Sequence, residues 1–360
     1  MNCIKTIEKM AIPHDVFLRM TKLYKEIGKN EYYNEFFSKS HEFYKRKTAE
    51  ENARYFYQLF GSEFKPIKRS RFNSLALPSA TANNKSEKLY KNILAIFRKI
   101  HYQSYERFNL NLAEIRELIN LLFKDIFDNP KYRKISQKKS LFNTDVKSMR
   151  EVFEKYLEEI NSLIKSNKYE PIFLYVNFLI DFINMKVFDF SYNELVGTLI
   201  FYIVMIENEL ESSYFVSFFG KLIFEKEEYF KLLHKSSYQW DEGLAEIMPL
   251  TKFFIEVYQT MYDDLDSLAR DYEYDENLSI SKSDYIENTV LKMPKTFSKN
   301  DIRKKHPLIS DSTINRTLKR MQDDNKIRAL GKGRNAKWVK IIDDEDSQGQ
   351  MKLNLGDNNG

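Results

Sequence analysis

Residues 171–206 read PIFLYVNFLIDFINMKVFDFSYNELVGTLIFYIVMI. Two segments of this stretch, 171–190 and 195–206, are apolar almost all round. A helix of that kind has no solvent face and belongs at the centre of a bundle, enclosed by others. The second segment is the longest strongly apolar run of the chain, at twelve residues, short of the roughly 20 that span a bilayer. Asn177, Asp181, Asn184 and Lys186 punctuate the first, and a membrane interior tolerates such groups badly. Two central core helices in a mainly α protein are expected, with no membrane partner.

Helices with one apolar stripe surround this pair. Asn111 and Glu114 are spaced as a capping box, and Ile115, Ile119, Leu122 and Ile126 then recur at helical spacing until Asp128-Asn129-Pro130. Leu89, Ile93, Ile96 and Ile100 form an earlier stripe; Val152, Tyr156, Ile160 and Leu163 form another within 145–164. Residues 61–84, with Pro66 and Pro78, show no period and predict a loop with short extended pieces. Residues 131–143 are too short for a further core helix and predict a hairpin or flap. No internal repeat is evident.

Composition agrees with helices. Among 360 residues there are only 10 Gly and 8 Pro, while 28 Phe and 23 Tyr supply ample core material. One cysteine, Cys3, excludes a disulfide framework, a thiolate zinc site and an iron–sulfur cluster. His14, His41, His101, His234 and His306 are scattered without metal-ligand spacing, so no metal is expected. No glycine-rich phosphate loop, dinucleotide fingerprint or nucleophile elbow occurs. Trp240 and Trp338 read as packing residues. Lys5, Glu8 and Lys9 break any signal-peptide pattern, and a cytoplasmic location is expected.

Charge is unevenly spread. Residues 282–340 hold 16 Lys and Arg against 6 Asp and Glu, a balance of +10, whereas the rest of the chain has 41 against 46. Acidic residues flank this block: Asp271, Glu273, Asp275 and Glu276 before it, Asp343 to Asp346 after it. The organisation expected is an N-terminal helical region and loop over 1–84, a helical core over 85–272, a linker over 273–281, a basic module over 282–342 and a disordered polar tail over 343–360.

The core resembles a known family. Residues 216–243 run VSFFGKLIFEKEEYFKLLHKSSYQWDEG and are followed by Pro249-Leu250-Thr251-Lys252-Phe253-Phe254. This succession is similar to the stretch after the active-site helices of Fic (Fido) proteins. Upstream, Tyr169-Glu170-Pro171 with Phe178, Phe182, Ile183, Met185 and Phe188 resembles the family helix that delivers its signature loop. The likeness covers roughly residues 85–340 and implies a Fido-like helical bundle.

Fic enzymes carry His-Pro-Phe-x-Asp/Glu-Gly-Asn-Gly/Lys-Arg-x-x-Arg between two buried helices. There the His is general base for AMP transfer from ATP to a protein hydroxyl, the acid holds Mg²⁺, and the Gly, Asn and Arg groups cradle the phosphates. The corresponding stretch here is residues 186–198, KVFDFSYNELVGT. With Phe188 on the family Phe, Lys186 stands at the His position. Asp189 or Phe190 lies near the acidic position, and Asn193 matches the Asn only with a one-residue shift. No Arg remains. A lysine is protonated at neutral pH unless buried and cannot accept the hydroxyl proton. The resemblance therefore implies a catalytically silent core with neither ATP nor Mg²⁺ as cofactor; the alternative is a rewired adenylyltransferase using both. The family's inhibitory-helix pattern has its nearest match in residues 47–52, KTAEEN, with Glu51 as the candidate.

The basic module reads as a winged helix-turn-helix (α+β) domain, a frequent companion of such cores. Tyr285, Ile286, Val290 and Met293 predict a first helix, and Ser298 caps a second over 299–305. Ser310 or Asp311 caps a third over 312–323, with Ile314, Leu318 and Met321 inward. Residues 326–330 and 337–341 predict two strands around a basic turn, a wing. Arg316 lies opposite the inward stripe, flanked by Ser312, Thr313, Lys319 and Arg320, a composition suited to a major groove. Lys332, Arg334 and Lys337 on the wing, and 303–305 on the second helix, suit phosphate. The expected partner is double-stranded DNA, bound by a homodimer. A protein partner or small effector at the core and a non-catalytic protein-interaction role are the other readings.

Overall fold

Pro171 opens the central helix at its first position, where the missing N–H would have no intrahelical partner anyway. The computed structural model to which this helix belongs describes the chain except residues 1–6, 8–9, 62–63, 78, 103–107, 129, 135–147, 209, 278–281, 307–308, 332–335 and 342–360. It divides into two units, residues 1–269 and 270–360.

The first unit is mainly helical among its described residues. In chain order it contains α1 (His14–Ile27), α2 (Asn30–Phe36), α3 (His41–Phe60), α4 (Arg69–Leu75), α5 (Lys85–Tyr102), α6 (Leu112–Leu122), α7 (Met149–Ser166), α8 (Pro171–Met185), α9 (Asn193–Ile206), α10 (Phe218–Phe224), α11 (Lys226–Ser236) and α12 (Met248–Asn277), with short 3₁₀ turns between some of them. The division between units falls within α12. In α8 every residue from Ile172 to Ile183 is buried, and in α9 every residue from Leu195 to Ile206. These two pack on each other, α7 packs on α8, and α3 packs on both α5 and α10.

The polar residues of α8 have partners. Asn177 Nδ2 donates to the Phe173 carbonyl one turn back at 2.8 Å. The wholly buried Asp181 accepts from Trp240 Nε1 at 2.6 Å. Gly197 lets α9 approach α8 closely, since a Cβ there would lie 3.1 Å from Leu179 Cδ1 and 3.2 Å from Phe182 Cδ1. No helix among the described residues is long and apolar enough to cross a membrane.

The second unit contains α13 (Lys282–Lys292), β1 (Thr296–Ser298), α14 (Lys299–Lys305), α15 (Asp311–Asp323), β2 (Ile327–Ala329) and β3 (Lys337–Lys340). The sheet is antiparallel in the order β1-β3-β2, with Phe297 opposite Trp338 and Arg328 opposite Val339. Its core joins Ile286, Val290, Met293, Phe297, Ile302, Ile314, Leu318, Met321, Ile327 and Trp338. The fold is thus mainly α, a helical bundle followed by a small α+β unit.

Several local expectations change. The stretch 61–84 holds a helix, α4, whose seven residues bury only Phe72 and Leu75; two apolar positions three apart set no visible period. Strand β1 escaped notice because its three residues turn a single side chain, Phe297, inward. Helix α12 runs to Asn277, into the stretch expected as linker. At α6, Asn111 caps as expected, but Glu114 accepts from the Asn109 N–H, at 2.6 Å. The expected flap over 131–143 is described only to residue 134, where Tyr132 bridges Phe188. The expected tail, 343–360, lies outside the described residues.

Candidate functional site

The loop between α8 and α9 begins with a strained turn. Lys186 occupies the left-handed region at φ 46°, closing α8 where glycine is the usual residue. Its side chain is exposed, as is that of Asp189; Phe188 is buried. Arg133, reaching across from residues 131–134, donates through Nε to the Lys186 carbonyl at 3.0 Å and through a terminal nitrogen to the Met185 carbonyl at 2.9 Å. It thereby satisfies carbonyls that the end of α8 leaves without helical partners.

The loop's own amides are turned to internal partners. Asp189 N–H donates to the Lys131 carbonyl at 2.9 Å, and Phe190 N–H to the Phe188 carbonyl at 3.0 Å. Arg133 N–H donates to the Val187 carbonyl at 3.0 Å. Aromatic rings pack around the loop: Phe188 stacks on Tyr132 with centroids 5.2 Å apart, and Tyr192 lies against Phe123 at 5.0 Å and Phe127 at 5.7 Å. Asn193 is buried and donates to the Phe190 carbonyl at 2.9 Å.

Glu51, on α3, is half-buried. The residue of its stretch that engages an arginine is its neighbour Glu50, 2.9 Å from Arg98. Asn52, the last residue of that stretch, matters more to the architecture than the pattern implies. Fully buried, it donates to Tyr202 Oη at 3.0 Å and accepts from Ser217 Oγ at 2.8 Å and Phe219 N–H at 3.0 Å, linking α3, α9 and α10. His101 meets the same Tyr202 hydroxyl at 3.0 Å. Burial, with the Lys45 ammonium adding to it, pushes His101 down to about 3. The signal for Asn52 was available: an amide on the stripe shared by Ala49, Ala53 and Phe56. Among the described residues no group of His, Cys, Asp and Glu is disposed to hold a metal.

In the second unit Ser310 caps α15, accepting from Thr313 N–H, and Asp311 pairs with Arg303 through the guanidinium, with Nε at 2.5 Å. Ile314, Thr317, Leu318 and Met321 are buried, which turns Ser312, Arg316, Lys319 and Arg320 outward, with Thr313 half-buried at the edge. Lys337 is exposed on β3. Lys332 and Arg334 lie outside the described residues. Arg320 is not loose on the surface: it donates to Glu287 Oε2 of α13 at 2.6 Å, and Lys326 pairs with the other oxygen of the same carboxylate. Those two cations hold Glu287 below the usual carboxylate range. Arg316 and Lys319 have no such carboxylate among the described residues.

No family model and no curated protein matches the sequence. Among solved structures, the chain is similar to a Fic family protein from Desulfovibrio desulfuricans G20, with a TM-score of 0.50 and 11% identity over 92% of this chain and 97% of that one. At that identity the likeness establishes the fold and nothing beyond it: the chain has a Fic-like fold.

Proposed function

We propose that the protein is a DNA-binding regulator: its C-terminal unit is a winged helix that grips duplex DNA, and its Fic-like unit transfers no nucleotide. The observation that carries this reading is α15, whose buried stripe leaves Ser312, Arg316 and Lys319 on one open face of a block with a charge of +10. Such a helix enters a major groove, with Arg316 suited to a guanine edge and Lys337 to phosphate. A homodimer reads the two half-sites of a specific operator.

A nucleoside triphosphate with its metal does not fit the loop over 186–193. Two of the amides that would face phosphate already have carbonyl partners, aromatic rings occupy the approach, and the nearest guanidinium, Arg133, is engaged with the end of α8. The exposed Lys186 stands where a general base is required. Loss of such a base alone lowers a rate by about 10²–10⁴-fold.

The test has two arms. The full chain should bind random duplex with an affinity that falls steeply with salt, and removal of residues 282–360 should abolish binding; equal binding by the truncated chain defeats the reading. Incubation with labelled ATP, Mg²⁺ and lysate should label no protein. Labelling that disappears in Lys186→Ala would instead establish a rewired transferase.

A further inference from the structure

Two of the cations on the second unit that a DNA reading would enlist share one internal carboxylate, Lys326 lying also 3.9 Å from Asp324 Oδ2. Glu287 stands on α13 with its side chain 15% exposed, and its two oxygens divide between Arg320 and Lys326. Arg320 follows Arg316 by one helical turn, on the same side of α15. Lys326 stands at the entry to β2. A carboxylate that engages one terminal nitrogen of a guanidinium and an ammonium competes with DNA phosphate for both groups.

We propose that Glu287 is an internal phosphate competitor: it keeps Arg320 and Lys326 off the DNA backbone and confines contact to the N-terminal part of α15 and to β3. The inference rests on the DNA-binding reading and deepens it, since it assigns a residue that lowers sequence-independent affinity. Phosphate contacts contribute affinity without sequence information. Withholding two of them lowers binding to any duplex while leaving Ser312, Thr313 and Arg316 to read bases. The carboxylate thus lowers affinity for every duplex alike and leaves discrimination to the base-reading residues.

The experiment measures binding of the full chain to random duplex across a fourfold range of salt. Each added phosphate contact steepens log K against log salt by about 0.9. Glu287→Gln should therefore bind more tightly than wild type at low salt, and lose roughly 3–12 times more affinity across that range. Arg320→Gln in the wild-type background should leave the slope unchanged, and in the Glu287→Gln background should flatten it by about 0.9.

Weaker binding by Glu287→Gln at every salt concentration, or an unchanged slope, overturns the inference. So does an Arg320→Gln single variant whose slope flattens, because Arg320 would then already touch phosphate. Should Glu287→Gln fail to fold by circular dichroism, the Arg320→Gln and Lys326→Gln single variants decide: an unchanged slope supports competition, a flatter one ends it. Absence of DNA binding by the wild type is a different outcome and removes the underlying reading itself.

Discussion

His101 and Lys186 each test the first unit through a single side chain. The folded chain holds His101 at about 3, against about 6.5 in an unfolded chain. Below pH 6.5 the unfolded state takes up a proton that the folded state refuses, so stability is intact above that pH and declines as pH falls from 6.5 towards 3. The decline is at most about 1.4 kcal/mol per pH unit. Chemical denaturation of wild type and His101→Gln at pH 7, 6 and 5 should show the wild type losing more between steps. Parallel curves would show that Tyr202 and its surroundings do not keep the ring neutral. Lys186 carries a different cost, a left-handed backbone on a residue with a Cβ. Lys186→Gly should raise stability by about 0.5–1 kcal/mol, after the greater freedom of glycine in the unfolded chain is deducted. A destabilised Lys186→Gly would mean that the lysine side chain is held by contacts at this turn.

Between helices, the close approach of α8 and α9 is the feature most exposed to substitution. A Cβ at Gly197 would lie inside ordinary van der Waals contact with Leu179 and Phe182, both fully buried. Gly197→Val adds a Cβ and two methyl groups between these buried side chains, and should cost about 1–3 kcal/mol by overpacking, seen as a lower denaturation midpoint with an unchanged denaturant slope. A neutral substitution would show slack in the seam. This pair of helices was legible in the sequence because continuous apolar residues can only be enclosed, and α15 was legible because Ile314, Leu318 and Met321 keep helical spacing. Much of what is not legible depends on partners distant in sequence. Helix α4 buries two residues against neighbours that no local pattern reveals. Arg133 acts on carbonyls some fifty residues away, Asp181 is matched by Trp240, and Asn52 joins three helices. The loop over 186–193 was legible as aromatic and poor in cations, but its internally paired amides depend on residues 131–133 coming alongside.

The chain concentrates its basic charge in one block of the second unit, and that concentration has a thermodynamic consequence. Residues 282–340 carry +10 around a core of ten buried side chains, whereas residues 1–269, which enclose α8 and α9, hold 39 Lys and Arg against 37 Asp and Glu. A small unit buries a lower fraction of its surface than a large one and is correspondingly marginal; like charge at high density destabilises its compact state further. Raising ionic strength shortens the screening length from about 30 Å at 0.01 M to about 8 Å at 0.15 M. That relieves repulsion within the basic unit and barely alters the buried apolar contacts of the other. Calorimetry of the full chain should therefore resolve two transitions: a smaller one at lower temperature that moves upward with salt, and a larger one that stays in place. Salt should thus act in opposite directions on two properties of the same unit, firming its fold while loosening its hold on DNA through the counterion effect. A single transition whose calorimetric and van't Hoff enthalpies agree would show that the units unfold as one. In that event, substitutions in the DNA-binding face would have to be judged by their effect on the stability of the entire molecule.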